Sequence, residues 1–362
     1  MVSRLRLPTT AISGTLRGYP REQSVDSYTV PVRIHTVEMH TGGEPVRIVT
    51  SGFPPIGGKT ILAKRRHAAV HLDDLRRMLM YEPRGHADMY GVLPVTPDHP
   101  EADLAVLFTH NEGYSTMCGH ATIALGRWAV DTGIVPRTEP VTEVALQVPA
   151  GLLRLQVDVA GGETGRVKYR SVPAFVTALD TDVHVADHGT VPVDIAYGGA
   201  FYAYAGAARF GLDVRTSPTR DLVDAAWAVT EAVRSAVSLD HPDDDDLAFL
   251  YGTILTDGAD AWQPEPTANV CVFADREVDR SPTGSGVTGR IAIQRAKGLI
   301  EMDTERLFES VTGSLFTGKA VASTRSGDRN AWIVEVGGES HYTGESVFTL
   351  EDGDPLPSFL LR

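Results

Sequence analysis

A cysteine stands directly before a glycine-rich turn in the segment Met117 to Thr122, which reads MCGHAT. Unpaired backbone N–H groups at the start of a helix lower the pKa of a neighbouring thiol and make its sulfur reactive. Gly119 lets the backbone approach a ligand closely, and His120 adds a polar side chain to the same turn. The pattern therefore predicts a reactive thiol at Cys118. The alternative is a small buried cysteine with a purely structural role.

A second glycine-rich turn, Ser281 to Gly289, reads SPTGSGVTG and contains the spacing G-x-G-x-x-G. A dinucleotide site needs such glycines directly after a strand and an acidic residue about 20 residues later. Here the polar stretch DREVDRSP separates the strand NVCVFA from the first glycine, and too little chain follows for a nucleotide-binding half. We therefore expect no nicotinamide or flavin. We interpret the turn as a helix N-terminus able to bind a small anion, and a turn that merely starts a helix is the alternative.

Three other features are weak candidates for chemistry. Cys271 lies in the apolar strand NVCVF, which predicts a buried structural residue. His67 and His71 are spaced i, i+4 on a predicted helix, but the glutamate of a zinc-binding H-E-x-x-H pattern is missing. Four consecutive aspartates in HPDDDDLAF indicate a solvated loop and helix start rather than a calcium loop. The sequence therefore predicts no metal site.

The two turns need elements that hold them in place. Alternating and continuous apolar segments predict a strand before each turn, ADLAVLF and TANVCVFA, and a helix after each, GHATIALGRWAVDTG and GVTGRIAIQRAKG. Two further strands are predicted around Thr41-Gly42-Gly43. The segment LDDLRRMLM is predicted to be a helix that Glu82-Pro83 stops, and RDLVDAAWAVTEAVRSAV a long amphipathic helix.

The spacing of the two turns indicates an internal duplication. Cys118 precedes the helix-ending Gly133 by 15 residues, and Thr283 precedes Gly298 by the same interval. A repeated α/β unit explains this coincidence better than one continuous sheet. Two such helix N-termini could converge on one small carboxylate from opposite domains.

Length and charge limit the remaining choices. A chain of 362 residues favours two domains. The formal net charge of -14 disfavours nucleic acid and anionic membranes as partners, and no apolar run approaches the ~18 residues of a membrane helix. Two cysteines make no disulfide framework, so with no visible signal peptide we expect a cytoplasmic protein. The Arg- and Ser/Thr-rich start predicts a flexible N-terminal extension over residues 1–29, with a transit peptide as the alternative.

Several longer segments resemble the proline racemase family. They are MHTGGEPVRIV, EPRGHADMYG, NEGYSTMCGHATIALGRWAVDTG, VDIAYGGAFYA and DRSPTGSGVTGR. The resemblance implies an α/β (α+β) fold like that of diaminopimelate epimerase, in which two pseudo-symmetric domains each wrap a curved β-sheet around a central helix and hold the active site between them. The expected domains are residues 30–185 plus 345–362, with Cys118, and residues 186–344, with Thr283.

The same resemblance assigns roles within the site. Family racemases and epimerases use two cysteines without a cofactor, and these correspond to Cys118 and, in this chain, Thr283. His120 and Asp279 would contact the amino group of the substrate. The substrate carboxylate would be bound by the backbone N–H groups of Gly119, His120, Gly284 and Ser285.

Threonine at position 283 resembles the branch of the family that dehydrates trans-3-hydroxy-L-proline. That implies a hydro-lyase acting on a small hydroxyproline-type imino acid without a cofactor, with a homodimer left open. An epimerase of 4-hydroxyproline or a racemase of proline is the nearest alternative, and threonine argues against it because its hydroxyl is a very poor proton donor or base. A non-catalytic binding protein with the same fold is a further alternative, against which Cys118 and His120 both count.

Overall fold

The computed structural model describes residues 32–361 of the chain. The predicted extension over residues 1–29 lies outside the described residues. Between residues 32 and 361 the fold is mixed α/β and rich in strands, with five α-helices and eighteen strands.

The helices end where the local sequence indicates that they should. At the start of the first helix, the side chain of Thr60 accepts the N–H of Ala63 and so caps the helix. The third and fifth helices are followed by Gly133 and Gly298, which both have positive φ. A left-handed glycine commonly ends a helix. The helices are α1 (Ile61–His71), α2 (Asp73–Met80), α3 (Gly119–Asp131), α4 (Thr219–Ala236) and α5 (Gly284–Ala296).

The strands fall into a long N-terminal run and a long C-terminal run. The first nine are β1 (Val32–Thr41), β2 (Glu44–Ser51), β3 (Tyr90–Val95), β4 (Leu104–His110), β5 (Gly113–Ser115), β6 (Val141–Val148), β7 (Gly151–Ala160), β8 (Glu163–Arg170) and β9 (Ala174–Val185). The others are β10 (Gly189–Tyr197), β11 (Phe201–Gly206), β12 (Leu250–Thr256), β13 (Thr267–Phe273), β14 (Glu277–Asp279), β15 (Arg306–Glu309), β16 (Leu315–Ser326), β17 (Arg329–Gly338) and β18 (Ser340–Leu350).

The elements predicted from the periodicity are present, with small differences at their ends. The strands on either side of Gly42-Gly43 form the antiparallel pair β1 and β2. The loop expected after the strand ADLAVLF contains the short strand β5, which pairs with β4. This pairing satisfies backbone groups just before Cys118, because a buried loop cannot leave its N–H and C=O groups unpaired.

Hydrogen bonds join the strands into one continuous network. Strand β18 returns to pair antiparallel with β1, so the C-terminal part of the chain completes the sheet that the N-terminal part begins. Strand β17 pairs with both β8 and β9 and thereby connects the two runs of strands. Among residues 32–361, no helix combines the length and the apolar composition that a membrane crossing requires.

Two helices lie inside this sheet network. α3 packs against β1, β2, β6, β7, β8, β17 and β18, and α5 packs against β9, β10, β11, β16 and β17. Each is buried along nearly its whole length, which explains why neither sequence shows a polar face. The helices also contact each other, and they meet at their N-terminal ends, which are the two turns singled out in the sequence.

Candidate active site

The N-termini of α3 and α5 abut at two glycines. A Cβ added to Gly119 would lie 2.4 Å from the Cα of Gly284, and a Cβ added to Gly284 would lie 2.7 Å from the Cα of Gly119. Real Cβ atoms do not approach backbone atoms so closely, so only glycine fits at either position. The prediction that the two helix N-termini converge is confirmed by this contact.

Cys118 is the residue that caps α3. Its backbone is extended, and its Sγ accepts a hydrogen bond from the N–H of Ala121 at 3.4 Å. The Nδ1 atom of His120 lies 3.2 Å from the same sulfur. The thiol therefore has one backbone donor and one imidazole nitrogen within reach. The sequence had not predicted the contact between His120 and the sulfur.

Burial changes the ionisation expected for these two residues. Cys118 is 5% exposed, and burial raises the pKa of its thiol well above its ordinary value, against the opposing hydrogen bond from Ala121. The charge of Asp279 raises it further. The expectation of a lowered thiol pKa is therefore wrong, because the loss of hydration outweighs one N–H donor. Burial likewise lowers the pKa of His120, so its imidazole is neutral at pH 7.

Thr283 occupies the equivalent N-terminal position of α5 but has a different conformation. Its φ of 63° lies in the left-handed region, which is unusual for a β-branched residue. Its hydroxyl does not cap the helix and instead donates a hydrogen bond to Oδ2 of Asp279 at 2.8 Å. Asp279 also accepts the N–H of Ser281 through Oδ1 at 2.7 Å. The Asp279 carboxylate thus holds the turn in the strained form, as is frequent at functional sites.

The first turn of α5 is packed tightly by strands β10 and β11. Tyr202 and Ser285 share a hydrogen bond between their hydroxyls at 2.9 Å. The turn Gly198-Gly199 lies close to both helix starts: a Cβ at Gly198 would lie 2.2 Å from the carbonyl oxygen of Ser285, and one at Gly199 would lie 2.7 Å from Met117. These contacts fix the positions of the N–H groups expected to bind a carboxylate.

Tyr169 is a site residue that sequence reasoning missed. Its hydroxyl oxygen would lie 2.7 Å from a Cβ at Gly119 and 2.4 Å from one at Gly284, so it sits against both helix starts. The hydroxyl is buried and makes no hydrogen bond of good geometry, although the Thr288 side chain is close to it, and burial raises its pKa. Strand alternation predicts only that Tyr169 faces inward on β8. Nothing in its own segment indicates that it meets a turn more than a hundred residues away.

The hairpin turn between β1 and β2 braces the two helix starts. The hydroxyl of Thr41 donates to the carbonyl oxygen of His120 at 2.9 Å. Oε2 of Glu44 accepts the backbone N–H of Arg280 at 2.7 Å. The hairpin therefore contacts the first turn of α3 on one side and the loop before Thr283 on the other. Its sequence contributes to the family resemblance, but the sequence had assigned no role to Glu44.

The weaker candidates lie away from this chemistry or beneath it. His67 and His71 are neighbours on α1, with ring centroids 4.8 Å apart, and among residues 32–361 no group of three or more His, Cys, Asp or Glu is arranged to hold a metal ion. The aspartate run begins a short 3₁₀ turn capped by Asp244. Cys271 is fully buried on β13, as predicted, but its neighbour across the strand pair is Asp279, so its surroundings are not purely apolar.

The assembled site contains one thiol, one neutral imidazole, one carboxylate and the N–H groups of two helix N-termini. The side chains and backbone of the site are buried, with Cys118, His120, Asp279, Thr283 and Ser285 each at most 5% exposed. Such an arrangement can bind a small anion and move a proton at the Cys118 sulfur. The same geometry places no thiol on α5, because Thr283 takes that position.

Comparison of the sequence with known proteins identifies its relatives. The sequence pattern that defines the family described as Proline racemase covers residues 36–359. Over 346 residues the chain is 58% identical to the trans-L-3-hydroxyproline dehydratase of Xenopus tropicalis, covering 95% of this chain and 99% of that protein. It is also 58% identical over 335 residues to the trans-3-hydroxy-L-proline dehydratase of Homo sapiens, covering 91% and 95%.

A solved structure gives the same answer for the fold. The hydroxyproline epimerase of Agrobacterium vitis, solved with bound trans-4-hydroxy-L-proline, superposes with a TM-score of 0.86 at 26% identity, covering 91% of this chain and 95% of that one. The pattern match across nearly the whole chain and the identity to the two dehydratases lead to one conclusion: this chain is a member of the proline racemase family.

Proposed function

We propose that this protein is a trans-3-hydroxy-L-proline dehydratase that eliminates water without a cofactor and gives Δ1-pyrroline-2-carboxylate. Relatives that are 58% identical over 91–95% of the chain carry this activity in their names. The mechanism rests on the difference between the two helix starts. The start of α3 has a thiol, Cys118, and the equivalent position of α5 has Thr283, whose hydroxyl donates a hydrogen bond to Asp279. Only one of the two helix starts then offers an acid or base.

The stereochemistry of the substrate needs only one such group. In trans-3-hydroxyproline the hydroxyl and the carboxylate lie on opposite ring faces, so the α-hydrogen shares a face with the hydroxyl. Loss of water is therefore a syn elimination. The Cys118 thiolate takes the α-proton, and the resulting thiol protonates the leaving hydroxyl. The thiolate is regenerated, and no net proton is consumed.

His120 and Asp279 supply the environment for this transfer. We propose that both contact the amino group of the substrate, as the family resemblance implies. The neutral His120 ring lies 3.2 Å from the Cys118 sulfur, where it can accept the thiol proton when the thiolate forms. A bound cationic amino group would also favour the thiolate, because an opposite charge nearby stabilises the ionised form.

The two helix N-termini are suited to the charge that develops. Removing the α-proton moves negative charge onto the carboxylate oxygens, giving an enediolate-like species. Backbone N–H groups at the starts of α3 and α5, together with their dipoles, stabilise that charge, and each well-placed donor contributes roughly 2.7–4 kcal/mol by analogy with oxyanion holes. We assign this role to the N–H groups of Gly119, His120, Gly284 and Ser285. The enamine that forms first tautomerises to the cyclic imine.

An epimerase is the enzymatic alternative, and a binding protein without catalysis is another. Epimerisation needs proton removal on one face and delivery on the other, so it needs two acid–base groups. Proton NMR in heavy water with trans-3- and trans-4-hydroxyproline separates the three. Loss of the trans-3 compound without formation of its C2 epimer supports dehydration. Appearance of the epimer at a comparable rate contradicts it, and unchanged spectra for both compounds indicate a binding protein.

We further propose the two-domain, diaminopimelate-epimerase-like partition. One domain comprises residues 30–185 plus 345–362 around α3, and the other comprises residues 186–344 around α5. The packing of β1, β2, β6, β7 and β8 on α3, and of β10, β11 and β16 on α5, supports it. Strand β9 also packs on α5 and pairs with β10, so it carries the chain from one domain to the other. A homodimer and a cytoplasmic location stay predictions, and sedimentation analysis tests the first.

A further inference from the structure

Glu44 is a fully buried carboxyl group whose two oxygens have unequal surroundings. Its exposure is 0%, and Oε2 accepts the backbone N–H of Arg280 at 2.7 Å. Oε1 is buried and has no hydrogen-bond partner. A carboxylate in water has donors at both oxygens, so a buried ionised Glu44 would keep negative charge on an oxygen that nothing stabilises. A protonated Glu44 carries its proton at that oxygen, and an unpaired neutral hydroxyl costs much less there than an unpaired charge.

Charged groups of both signs surround Glu44. The guanidinium of Arg280 lies 3.6 Å from Oε2, but Arg280 is shared with Asp88, to which it donates at 3.0 Å. The Arg280 guanidinium therefore lies closer to the carboxylate of Asp88 than to that of Glu44. Burial raises the pKa of Glu44 well above its ordinary value, and the charge of Asp279 adds to that increase, which outweighs the opposing N–H hydrogen bond and charge of Arg280.

The other titratable groups near Glu44 are the thiols of Cys118 and Cys271 and the ring of His120. The thiols are neutral because burial raises the pKa of each. His120 is neutral because burial lowers its pKa. None of the three supplies a positive charge that would hold Glu44 as an anion.

We infer that Glu44 is a neutral carboxylic acid in the folded protein: it positions the Arg280 turn through one oxygen. Among residues 32–361, this leaves Asp279 as the one carboxylate beside the substrate without a cationic side chain paired to it. The role in catalysis rests on the proposed function, whereas the protonation state does not. With Glu44 neutral and Asp88 paired with Arg280, these groups and Asp279 together carry a charge of -1, which balances the one positive charge on the ring nitrogen of the substrate. An ionised Glu44 would make it -2 and would oppose formation of the Cys118 thiolate.

Infrared difference spectroscopy tests the protonation state without substrate. The wild type at neutral pH should show the carbonyl stretch of a protonated carboxylic acid, and this band should vanish in Glu44→Gln. The matched control is Glu163→Gln, the same change at an exposed glutamate on β8. A difference spectrum for Glu44→Gln without that band at neutral pH overturns the inference. Glu277 is another buried glutamate with a raised pKa, so it could give a similar band. If Glu44→Gln does not fold, the spectrum is therefore recorded on Glu277→Gln protein in which the glutamate carboxyl groups are isotope-labelled. A band that persists there and shifts with the label is assigned to Glu44, and its absence overturns the inference.

The dependence of stability on pH gives a second measurement. A group whose pKa is raised on folding binds more protons in the folded state, so its contribution to stability falls as pH rises above the unfolded value of about 4.5. Glu44→Gln cannot titrate. Its melting temperature relative to wild type should therefore increase steadily from pH about 5 to 8, while the Glu163→Gln difference stays flat. A pH-independent difference for Glu44→Gln contradicts the inference.

Turnover tests whether the neutral acid positions the site. Glu44→Gln keeps a neutral group that can accept the Arg280 N–H, so it should lose less than about 5-fold in kcat. Glu44→Ala leaves that N–H unpaired and should lose about 10- to 100-fold. Equal losses in the two variants contradict the positioning role. If the infrared band and the stability slope are present but no variant or wild type dehydrates hydroxyproline, the proposed function fails and the protonation state stands.

Discussion

The hydroxyl of Thr283 donates a hydrogen bond of 2.8 Å to Oδ2 of Asp279, and this bond connects the start of α5 to the end of β14. Cys118, at the equivalent start of α3, makes no such bond and instead accepts the N–H of Ala121. The two helix starts are therefore equivalent in position and different in chemistry. In the proposed mechanism this difference is the reason why the protein eliminates water rather than inverting a stereocentre.

Replacing Thr283 with cysteine should introduce the missing acid–base group. Thr283→Cys is expected to exchange the α-proton of proline or 4-hydroxyproline with solvent and to invert that centre weakly, while dehydration of the trans-3 compound persists. Cysteine is unbranched at Cβ, so it should tolerate the φ of 63° at least as well as threonine does. Deuterium incorporation followed by NMR, with wild type alongside, checks this. Inversion by the wild type at the rate of dehydration would contradict the one-face mechanism. A folded variant without inversion weighs less, because ~1 Å of misplacement can cost 10²-fold.

Removing the Cys118 thiol should abolish dehydration and leave the fold intact. A positioned acid–base group contributes about 10²–10⁴-fold, and here one group serves both steps, so Cys118→Ala and Cys118→Ser should lose at least the upper value. Cys271→Ala is the matched control, because Cys271 is the other buried thiol. It should cost roughly 1 kcal/mol of stability and little activity. An inactive Cys271→Ala with an unchanged melting temperature would move the catalytic assignment from Cys118 to Cys271.

The contact between the two glycines predicts a steric effect on activity. Gly119→Ala and Gly284→Ala would each place a methyl group against the opposing helix start, so we expect the helix N-termini to separate and kcat to fall by about 10²-fold or more. Gly206→Ala is the control, since a Cβ at Gly206 has no atom within 4 Å and its φ of -71° suits alanine. Steady-state kinetics and thermal melts of all three variants check the prediction. Normal kinetics in Gly119→Ala would remove the convergence of the helices from the mechanism.

The unpaired hydroxyl of Tyr169 predicts a functional effect without a loss of stability. A buried hydroxyl without a partner has already lost its hydration, so Tyr169→Phe should leave the melting temperature equal to or above that of wild type. If the hydroxyl donates to the bound carboxylate, KM should rise by about 5-fold or more. Tyr197→Phe is a matched control, because Tyr197 is another buried tyrosine whose hydroxyl is unpaired. The same change in KM for both variants would contradict a specific role for Tyr169.

The raised pKa of the Cys118 thiol predicts how the rate depends on pH. Burial favours the neutral thiol, but the base must be a thiolate, so kcat/KM should increase as pH rises from about 7 to 9. Inactivation by iodoacetamide should increase over the same range and be slowed by pyrrole-2-carboxylate, a planar proline analogue. A flat or falling profile for both quantities would mean that the free enzyme already holds the thiolate.

Activity should need no metal, nicotinamide, flavin or pyridoxal phosphate. The reaction is neither a redox reaction nor one that needs an electron sink beyond the carboxylate and its N–H donors. Purified protein should keep its dehydratase activity after dialysis against EDTA, and its visible spectrum should be featureless. Release of a nucleotide on denaturation would restore the dinucleotide interpretation of Gly284, Gly286 and Gly289.

Local signals in the sequence were sufficient for the elements and for the two turns. Periodicity predicted the strands and helices, and the glycines after α3 and α5 marked their ends because each adopts a left-handed φ that other residues resist. The apolar pattern after each Gly-rich turn predicted that Cys118 and Thr283 lie at helix starts, as both do, and their equal 15-residue intervals predicted a repeated unit. These features depend on a few neighbouring residues, so they are visible in one sequence.

Contacts between distant segments decided the remaining features. Tyr169 and Glu44 come from strands with no catalytic pattern of their own, and they reach the helix starts only because the sheet network folds around α3 and α5. The thiol pKa rises because burial removes water from Cys118, and a helix start in isolation would have lowered it. The left-handed backbone of Thr283 persists because Asp279 engages the hydroxyl of its side chain. Hydration and long-range packing depend on the whole tertiary structure, and a short motif contains neither.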